Sequence, residues 1–232
     1  MTEVKNIIIT GGSRGIGRSL ALKYLENGHN VFVIARSEEK LKEISKISND
    51  EQFRYAPLDL STIEDYENLH DYIYDWSRVD VLFNNAGLLI KKPFVELSSD
   101  DFLQSLKVNY LAPVMLIQSL LPKMDHSSHI VNITTMGAVQ GSVKFPELAA
   151  YGSSKAALVT LSEILAQELE GNSPRINCVA LGAVQTEMLA AAFPGYQAPL
   201  QAEEMAEFLY DFGLNAHHFM NGKIVQCSLS TP

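Results

Sequence analysis

Tyr151 and Lys155 are the two side chains of this sequence best placed to move a proton. They stand four residues apart in a stretch, Ala150 to Glu170, whose apolar spacing predicts a strong helix, so they share one helix face. A free tyrosine titrates near about pH 10, too high to exchange protons readily at neutral pH. A neighbouring ammonium favours phenolate and lowers that value, so Tyr151 becomes a candidate donor to a forming alkoxide or acceptor from an alcohol. A Tyr and a Lys at this spacing are, alone, more often an ordinary surface pair.

A second candidate is the stretch Thr10-Gly11-Gly12-Ser13-Arg14-Gly15-Ile16-Gly17. The apolar run before it, Val4 to Ile9, predicts a buried strand, and Arg18 to Asn27 predicts a helix. The glycines therefore lie on a strand-to-helix turn. A helix start carries unpaired N–H groups and partial positive charge, which suits a pyrophosphate. Glycine permits the positive φ of a tight turn, and its missing Cβ lets backbone approach a ligand. An ordinary glycine-rich turn is one alternative. A nucleoside triphosphate loop is another, because Gly12 to Ser19 reads G-x-x-x-x-G-R-S; that pattern wants lysine where Arg18 stands. Dinucleotide binding fits best, although the spacing is G-x-x-x-G-x-G.

Arg36 follows the second predicted strand, Asn30 to Ala35, at the place where such a site reads the adenosine ribose. A carboxylate there accepts from a 2′-hydroxyl and repels a 2′-phosphate. Here Arg36 and Arg14 offer two guanidiniums that can clamp a phosphate. Pro113 adds a further clue inside the predicted helix Ser99 to Lys123. It has no N–H to give the carbonyl four residues back, so the Asn109 C=O is expected to be free for a water.

The remaining elements must position these groups. A helix is predicted over Ser37 to Ile47 with Ser37 as N-cap, then a strand Phe53 to Pro57 ending at Asp59-Leu60. Thr62 to Trp76 is predicted helical, with Ile63, Tyr66, Leu69, Tyr72 or Ile73, and Trp76 on one face; the aromatic stripe reads as packing. A strand Val79 to Phe83 runs into Asn84-Asn85-Ala86-Gly87, and a strand His129 to Thr134 into Thr135 and a long loop. Pro174 to Leu181 and Lys223 to Ser228 are the last strands. Residues 188–199 read as a substrate loop, and Ala202 to Leu214 as a helix. Apolar strands alternating with helices imply an α/β protein: a doubly wound, Rossmann-type parallel sheet of about seven strands with helices on both faces. Ligands of such sheets bind at the strands' carboxyl ends, where the glycine turn, Arg36, Asp59, Asn84–Gly87 and Thr134–Thr135 all fall.

Composition sets bounds. At 232 residues and 47% hydrophobic, the chain is long enough for one well-buried domain, read here as residues 1–232. A net charge of −9 argues against nucleic acid or an anionic membrane as partner. Cys178 and Cys227 are far apart and suit a reducing cytoplasm, with both thiols read as buried fillers. No leader is expected before the first strand, and no apolar run approaches a membrane span. His126, His129 and the His217–His218 pair lack Cys or carboxylate partners at ligand spacing, so no metal is expected and they read as solvated loop histidines.

With these residues in view, the chain resembles the short-chain dehydrogenase/reductase family over roughly residues 4–228. The resemblance rests on Thr10-Gly11…Gly15-Ile16-Gly17, Asn84-Asn85-Ala86-Gly87, Asn109, Tyr151…Lys155 and Asn177…Gly182…Thr186. It implies hydride transfer between NADP(H) and a small carbonyl or alcohol substrate of ketone, aldehyde or 3-oxoacyl type, with Tyr151 exchanging the proton. Lys155 is then expected to hold the nicotinamide ribose and depress the Tyr151 pKa, and Asn109 to anchor a relay water. Gly11, Ser13, Arg14, Gly15, Ile16, Gly17, Arg36, Asp59, Leu60, Asn85, Ala86, Gly87, Gly182 and Thr186 are implied cofactor contacts, with Arg14 and Arg36 matching the NADP-preferring pattern. A homodimer or homotetramer is also implied. Three departures stand out. Thr135 replaces the family's substrate-holding serine and lies 16 positions before Tyr151, a longer loop than usual, which makes Ser142 a rival. Strand alternation sends Thr134 and Thr135 to opposite faces, so only one is expected to face the reaction. Leu181-Gly182 replaces the usual Pro-Gly, and the chain end lacks the common Asp-Gly-Gly. A non-catalytic NADP-binding regulator on the same fold is the competing reading.

Overall fold

A computed structural model describes residues 3–48, 51–62, 68–169 and 171–229. Seven parallel strands form one sheet: β1 (Asn6–Thr10), β2 (Asn30–Ala35), β3 (Phe53–Pro57), β4 (Val81–Asn84), β5 (His129–Thr135), β6 (Arg175–Leu181) and β9 (Ile224–Cys227), in the spatial order β3-β2-β1-β4-β5-β6-β9. A separate short pair, β7 (Val184–Gln185) and β8 (Leu200–Gln201), brackets the segment after the sixth strand. The β-branched and aromatic runs of the central strands are buried because both faces are covered. Ile7 and Ile9 point into one cluster with Leu20 and Tyr24 of α1 (Gly15–Glu26) and Leu209 and Phe212 of α8 (Ala202–Asn215). Ile8 points into the other, with Phe32, Trp76 and Leu116 and Ile117 of α5 (Ala112–Leu120). Each fully buried isoleucine of this kind stabilises the sheet by about 1.5–3 kcal/mol.

Local chemistry sets the helix starts. Ser37 accepts the Lys40 N–H and caps α2 (Glu38–Ile47) as expected. Ser98 and Asp101 form a capping box at α4 (Ser99–Leu106). The predicted helix over Ser99 to Lys123 is not continuous. A π-helical turn, Lys107–Leu111, separates α4 from α5, with the Ala112 N–H reaching back to Lys107 O and Pro113 in the first turn of α5. The proline that cannot donate is thus accommodated by widening the turn before it.

Other boundaries also shift. Of the predicted helix Thr62 to Trp76, only Leu69–Tyr72 (α3) is helical among the described residues; Ile63 and Tyr66 lie outside them. Trp76 still packs in the core, and Tyr72 stacks on Phe32. Residues 188–199 are not all loop, because Glu187–Ala192 forms α7. α6 (Ala149–Glu168) matches expectation closely.

A buried amide chain aligns the elements that carry the site. Asn84 Nδ2 donates to Asn132 Oδ1 at 2.7 Å, and Asn132 Nδ2 to Ser162 Oγ at 2.8 Å, joining β4, β5 and α6. Cys178 is buried and its thiol donates to the same Ser162 Oγ.

The histidine reading needs correction. His129 is fully buried on β5 rather than solvated, and His217 is partly buried, their rings 5.5 Å apart. His129 Nδ1 lies 3.0 Å from Gly213 O, and Asn177 Nδ2 donates to Nε2 at 3.0 Å. That ring is therefore the neutral Nδ1–H tautomer. Protonation would set an Nε2–H against the Asn177 N–H, and burial already pulls His129 down to about 4. The unfolded imidazole binds its proton near pH ~6.5 while the folded one stays neutral to about 4, so stability falls as pH drops through that window. Urea unfolding at pH 5 and pH 7 should show a loss of about 2 kcal/mol from this residue. His129→Gln should reduce the pH dependence and leave the part due to His217, which burial also pulls down to about 4; an unchanged slope would show that the His129 ring titrates freely in the fold.

Candidate active site

A cavity of about 670 Å³ opens over the carboxyl ends of the strands. Its first wall is the glycine turn. Gly11 has φ +70°, and a Cβ there would lie 2.8 Å from Ala86 Cα. A Cβ on Gly17 would meet Gly11 O at 2.7 Å. Both positions are closed to larger residues. No side chain caps α1 at Arg14 and no acidic residue occupies its first turn, so the helix start faces the cavity with its N–H groups unclaimed by a side chain. Arg18, where a triphosphate loop would place its lysine, does not line the cavity.

The β2 end contributes Ala35, Arg36, Ser37 and Lys40, and the β3 end Asp59, Leu60 and Ser61. The Ser61 N–H, 2.9 Å from Asp59 Oδ1, holds that carboxyl below its ordinary range, with help from the Arg36 charge. Thr10 ties the two sides of the crevice together: its hydroxyl oxygen accepts the N–H groups of both Asn85 and Ala86 at 3.0 Å. Asn85 Nδ2 returns a bond to Thr10 O at 2.9 Å.

At the other end stand Tyr151 and Lys155. Lys155 is 2% exposed, and its ammonium donates to Ile133 O at 2.8 Å and Ala86 O at 3.3 Å. Burial pulls it down to about 8. Tyr151 moves opposite to expectation: burial pushes the phenol up to about 12, and Lys155 is engaged with carbonyls instead. In this state Tyr151 is a protonated donor. Asn109 is fully buried. Its Oδ1 accepts the Leu88 N–H at 2.8 Å, and its Nδ2 donates to Leu88 O and Ser154 Oγ, each at 2.9 Å. The side chain thereby fixes the loop after β4 against α6.

Thr134 and Thr135 both border the cavity, but their hydroxyls differ. Thr134 Oγ1 turns onto its own main chain, accepting the Thr135 N–H. Thr135 Oγ1 accepts the Gly137 N–H at 3.4 Å and keeps its proton to give. Ser142 does not line the cavity; it donates to Met136 O and Val139 O. Gly182 and Thr186 close the wall after β6, with Thr186 capping α7.

The fold is shared. Residues 5–197 match the short chain dehydrogenase family model. The chain belongs to the short-chain dehydrogenase family. It is 34% identical over 197 residues to the uncharacterized oxidoreductase Rv1543 of Mycobacterium tuberculosis, covering 80% of this chain and 57% of that protein, so the chain spans little over half of that relative's length. A short-chain dehydrogenase from Salmonella enterica serovar Typhi superposes with a TM-score of 0.87 at 31% identity, covering 97% of this chain and 96% of that one. Another from Shigella flexneri, solved in complex with NADP, gives 0.85 at 29% identity, covering 96% of each.

Two groups were missed in the sequence. Lys40 and Ser37 join Arg36 at the cavity, although the short step from β2 into α2 signals that the α2 start faces the same end. The apolar wall of Leu88, Met136, Phe145, Leu148, Leu189 and Phe193 comes from segments far apart in sequence. The α7 part was signalled by Thr186 as N-cap, Glu187 in the first turn, an alanine run and a stop at Pro194-Gly195.

Asn109→Ala should strand both main-chain groups of Leu88 and cost about 3 kcal/mol in urea unfolding. A loss under about 1 kcal/mol would show that the loop after β4 is held by other contacts.

Proposed function

We propose that residues 1–232 form a single unit that acts as an NADP(H)-dependent carbonyl reductase, running as an alcohol dehydrogenase in reverse. The observation that carries this reading is the convergence of Tyr151 and Thr135 at one end of a cavity whose other end holds Arg14, Arg36 and Lys40. The residues fit a dinucleotide: the glycine turn is closed to any Cβ, the α1 start is uncapped, and the residues that follow β2 bring Arg36 and Lys40 but no carboxylate to the cavity, with Arg14 in the glycine turn and Asp59 coming from the β3 end. The Shigella relative solved with NADP supports the same choice.

In this reading, the N–H groups at the start of α1, with Gly11, Ser13, Gly15, Ile16 and Gly17, hold the pyrophosphate. Arg14 and Arg36 hold the 2′-phosphate, Asp59 and Leu60 the adenine end, and Asn85, Ala86, Gly87, Gly182 and Thr186 the nicotinamide half. Bound, the cofactor supplies or accepts the hydride. Tyr151 donates its phenolic proton to the oxygen of the reduced carbonyl, and takes one in reverse. Thr135 gives that oxygen a second hydrogen bond as negative charge develops on it. Lys155, fixed by two carbonyls, presents its remaining proton to the ribose and stabilises phenolate once Tyr151 has given up its proton. Asn109 positions the loop after β4 and anchors a relay water.

The two free cysteines suit a reducing cytoplasm, and among the described residues no helix is long and apolar enough to cross a membrane. Exposed Leu103 on α4 and Ile164 on α6 support a homodimer or homotetramer.

Replacing Ala35 with Asp and Arg36 with Ala should swing preference from NADPH towards NADH. Loss of a charge-assisted phosphate contact is worth about 1.5–3 kcal/mol, or roughly tenfold to over a hundredfold in Kd. Tighter NADH binding in the parent would refute the assignment. On the catalytic side, Tyr151→Phe should abolish turnover with NADPH binding intact. Thr135→Val should lower kcat by about 10²–10³. Thr135→Ser and Ser142→Ala should stay near the parent rate. Activity surviving in Tyr151→Phe would remove the phenol from the mechanism. NADPH binding without turnover of any ketone or aldehyde would favour the regulator.

A further inference from the structure

Among the described residues, six charged side chains line the cavity: Arg14, Arg36, Lys40, Asp59, Lys155 and Glu187. Their positions divide it in two. Arg14, Arg36, Lys40 and Asp59 lie at the end built by the glycine turn, β2 and β3. Lys155 lies beneath Tyr151 with two main-chain carbonyls on its ammonium. Glu187 turns toward the glycine turn: its Oε2 is 3.5 Å from where a Gly15 Cβ would sit. The region beyond Tyr151 and Thr135 is walled instead by Leu88, Met136, Phe145, Leu148, Leu189 and Phe193. Gln104 of α4 and Tyr196 after α7 add a neutral amide and a phenol to the lining.

Two cations bordering that wall are already committed: Lys144, next to Phe145, donates to Val139 O and Ser142 Oγ, and Lys91 is held elsewhere. Lys91 does not line the cavity. Its ammonium pairs with Glu147 at 3.4 Å and lies 4.5 Å from the centroid of the Phe193 ring. A carboxylate, sulfonate or phosphate on the substrate would therefore leave water for a wall that offers it the neutral donors Gln104 and Tyr196 but no cation. Burying an unpaired anion costs far more than any apolar contact returns.

Resting on the carbonyl reductase reading, we infer that the substrate is a neutral ketone or aldehyde with an apolar chain or ring, and that the wall excludes oxoacids. Its hydrocarbon part packs between the β5–α6 loop and α7, and a neutral ester, amide or hydroxyl on it can bond to Gln104.

The test compares 2-octanone, methyl 7-oxooctanoate and 7-oxooctanoate with NADPH. The two neutral compounds should agree in kcat/KM within about tenfold, and the acid should fall at least about a hundredfold below its ester. Leu189→Arg, which puts a cation on the wall, should raise kcat/KM for the acid at least about tenfold; Leu148→Arg serves if the first variant does not fold. An acid turned over within tenfold of its ester by the parent overturns the inference, as does an acid unaffected by either arginine. If no compound turns over, the reductase reading fails, and ligand-observed NMR on the same three compounds decides the wall separately. Binding of the neutral pair but not the acid sustains it; equal binding of all three, or none, overturns it.

Discussion

The site depends on one buried ammonium. Lys155 is almost fully removed from water, and such a charge is tolerable only where its protons find acceptors. Two are supplied by main chain: Ile133 O near the end of β5 and Ala86 O just past β4. The bonds therefore pin α6 to two adjacent strands at once. One residue earlier, Ser154 donates to Tyr151 O and accepts from Asn109, which in turn holds Leu88. Three consecutive contacts thus fix where the Tyr151 phenol stands relative to the crevice. Preorganisation of this kind matters because a reacting proton must be held within hydrogen-bond reach of its acceptor.

The crevice itself follows from topology. From β1 the chain builds outward through β2 and β3 on one side, then returns to place β4, β5 and β6 on the other. Loops leaving β1 and β4 diverge at this reversal and leave a gap, which is where doubly wound sheets bind ligands. Thr10 keeps that gap open at a fixed width, because its hydroxyl accepts from both amides of the opposite loop. The close fit of Gly11 against Ala86 Cα comes from the same contact.

Much of this was legible in sequence because the signals are local. Parallel strands buried on both faces read as continuous β-branched runs, and Ser37 declares its helix start. The glycine turn, Asn85–Gly87, Tyr151 and Lys155 converge on one cavity as their strand ends and helix faces require, with Asn109 buried behind the Leu88 that lines it. What escaped depends on neighbours distant in sequence. The α7 helix was missed because Pro194-Gly195 and Pro199 made the whole stretch read as loop, although Thr186 and the alanine run signal a helix start. The π-helical turn is a compromise between Pro113 and the packing of Asn109, which a uniform helical period conceals. His129 was misread because a parallel strand buries both faces, so a polar residue on it is buried too. The direction of the Tyr151 shift escaped for the same reason: spacing shows that Lys155 is near, but not that its protons are taken by carbonyls.

The central claim is that Tyr151 is held as a protonated phenol, with Lys155 bonded to main chain rather than to the phenol. Its most direct test is a pH titration of the free protein carrying 13Cζ-labelled tyrosine, with the Tyr151 resonance assigned by its loss in Tyr151→Phe. The account predicts no ionisation of Tyr151 below about pH 11, in line with a phenol pushed up to about 12 by burial. Ionisation of Tyr151 near neutral pH in the free protein would contradict it, and would show that the ammonium acts on the phenol before any cofactor binds.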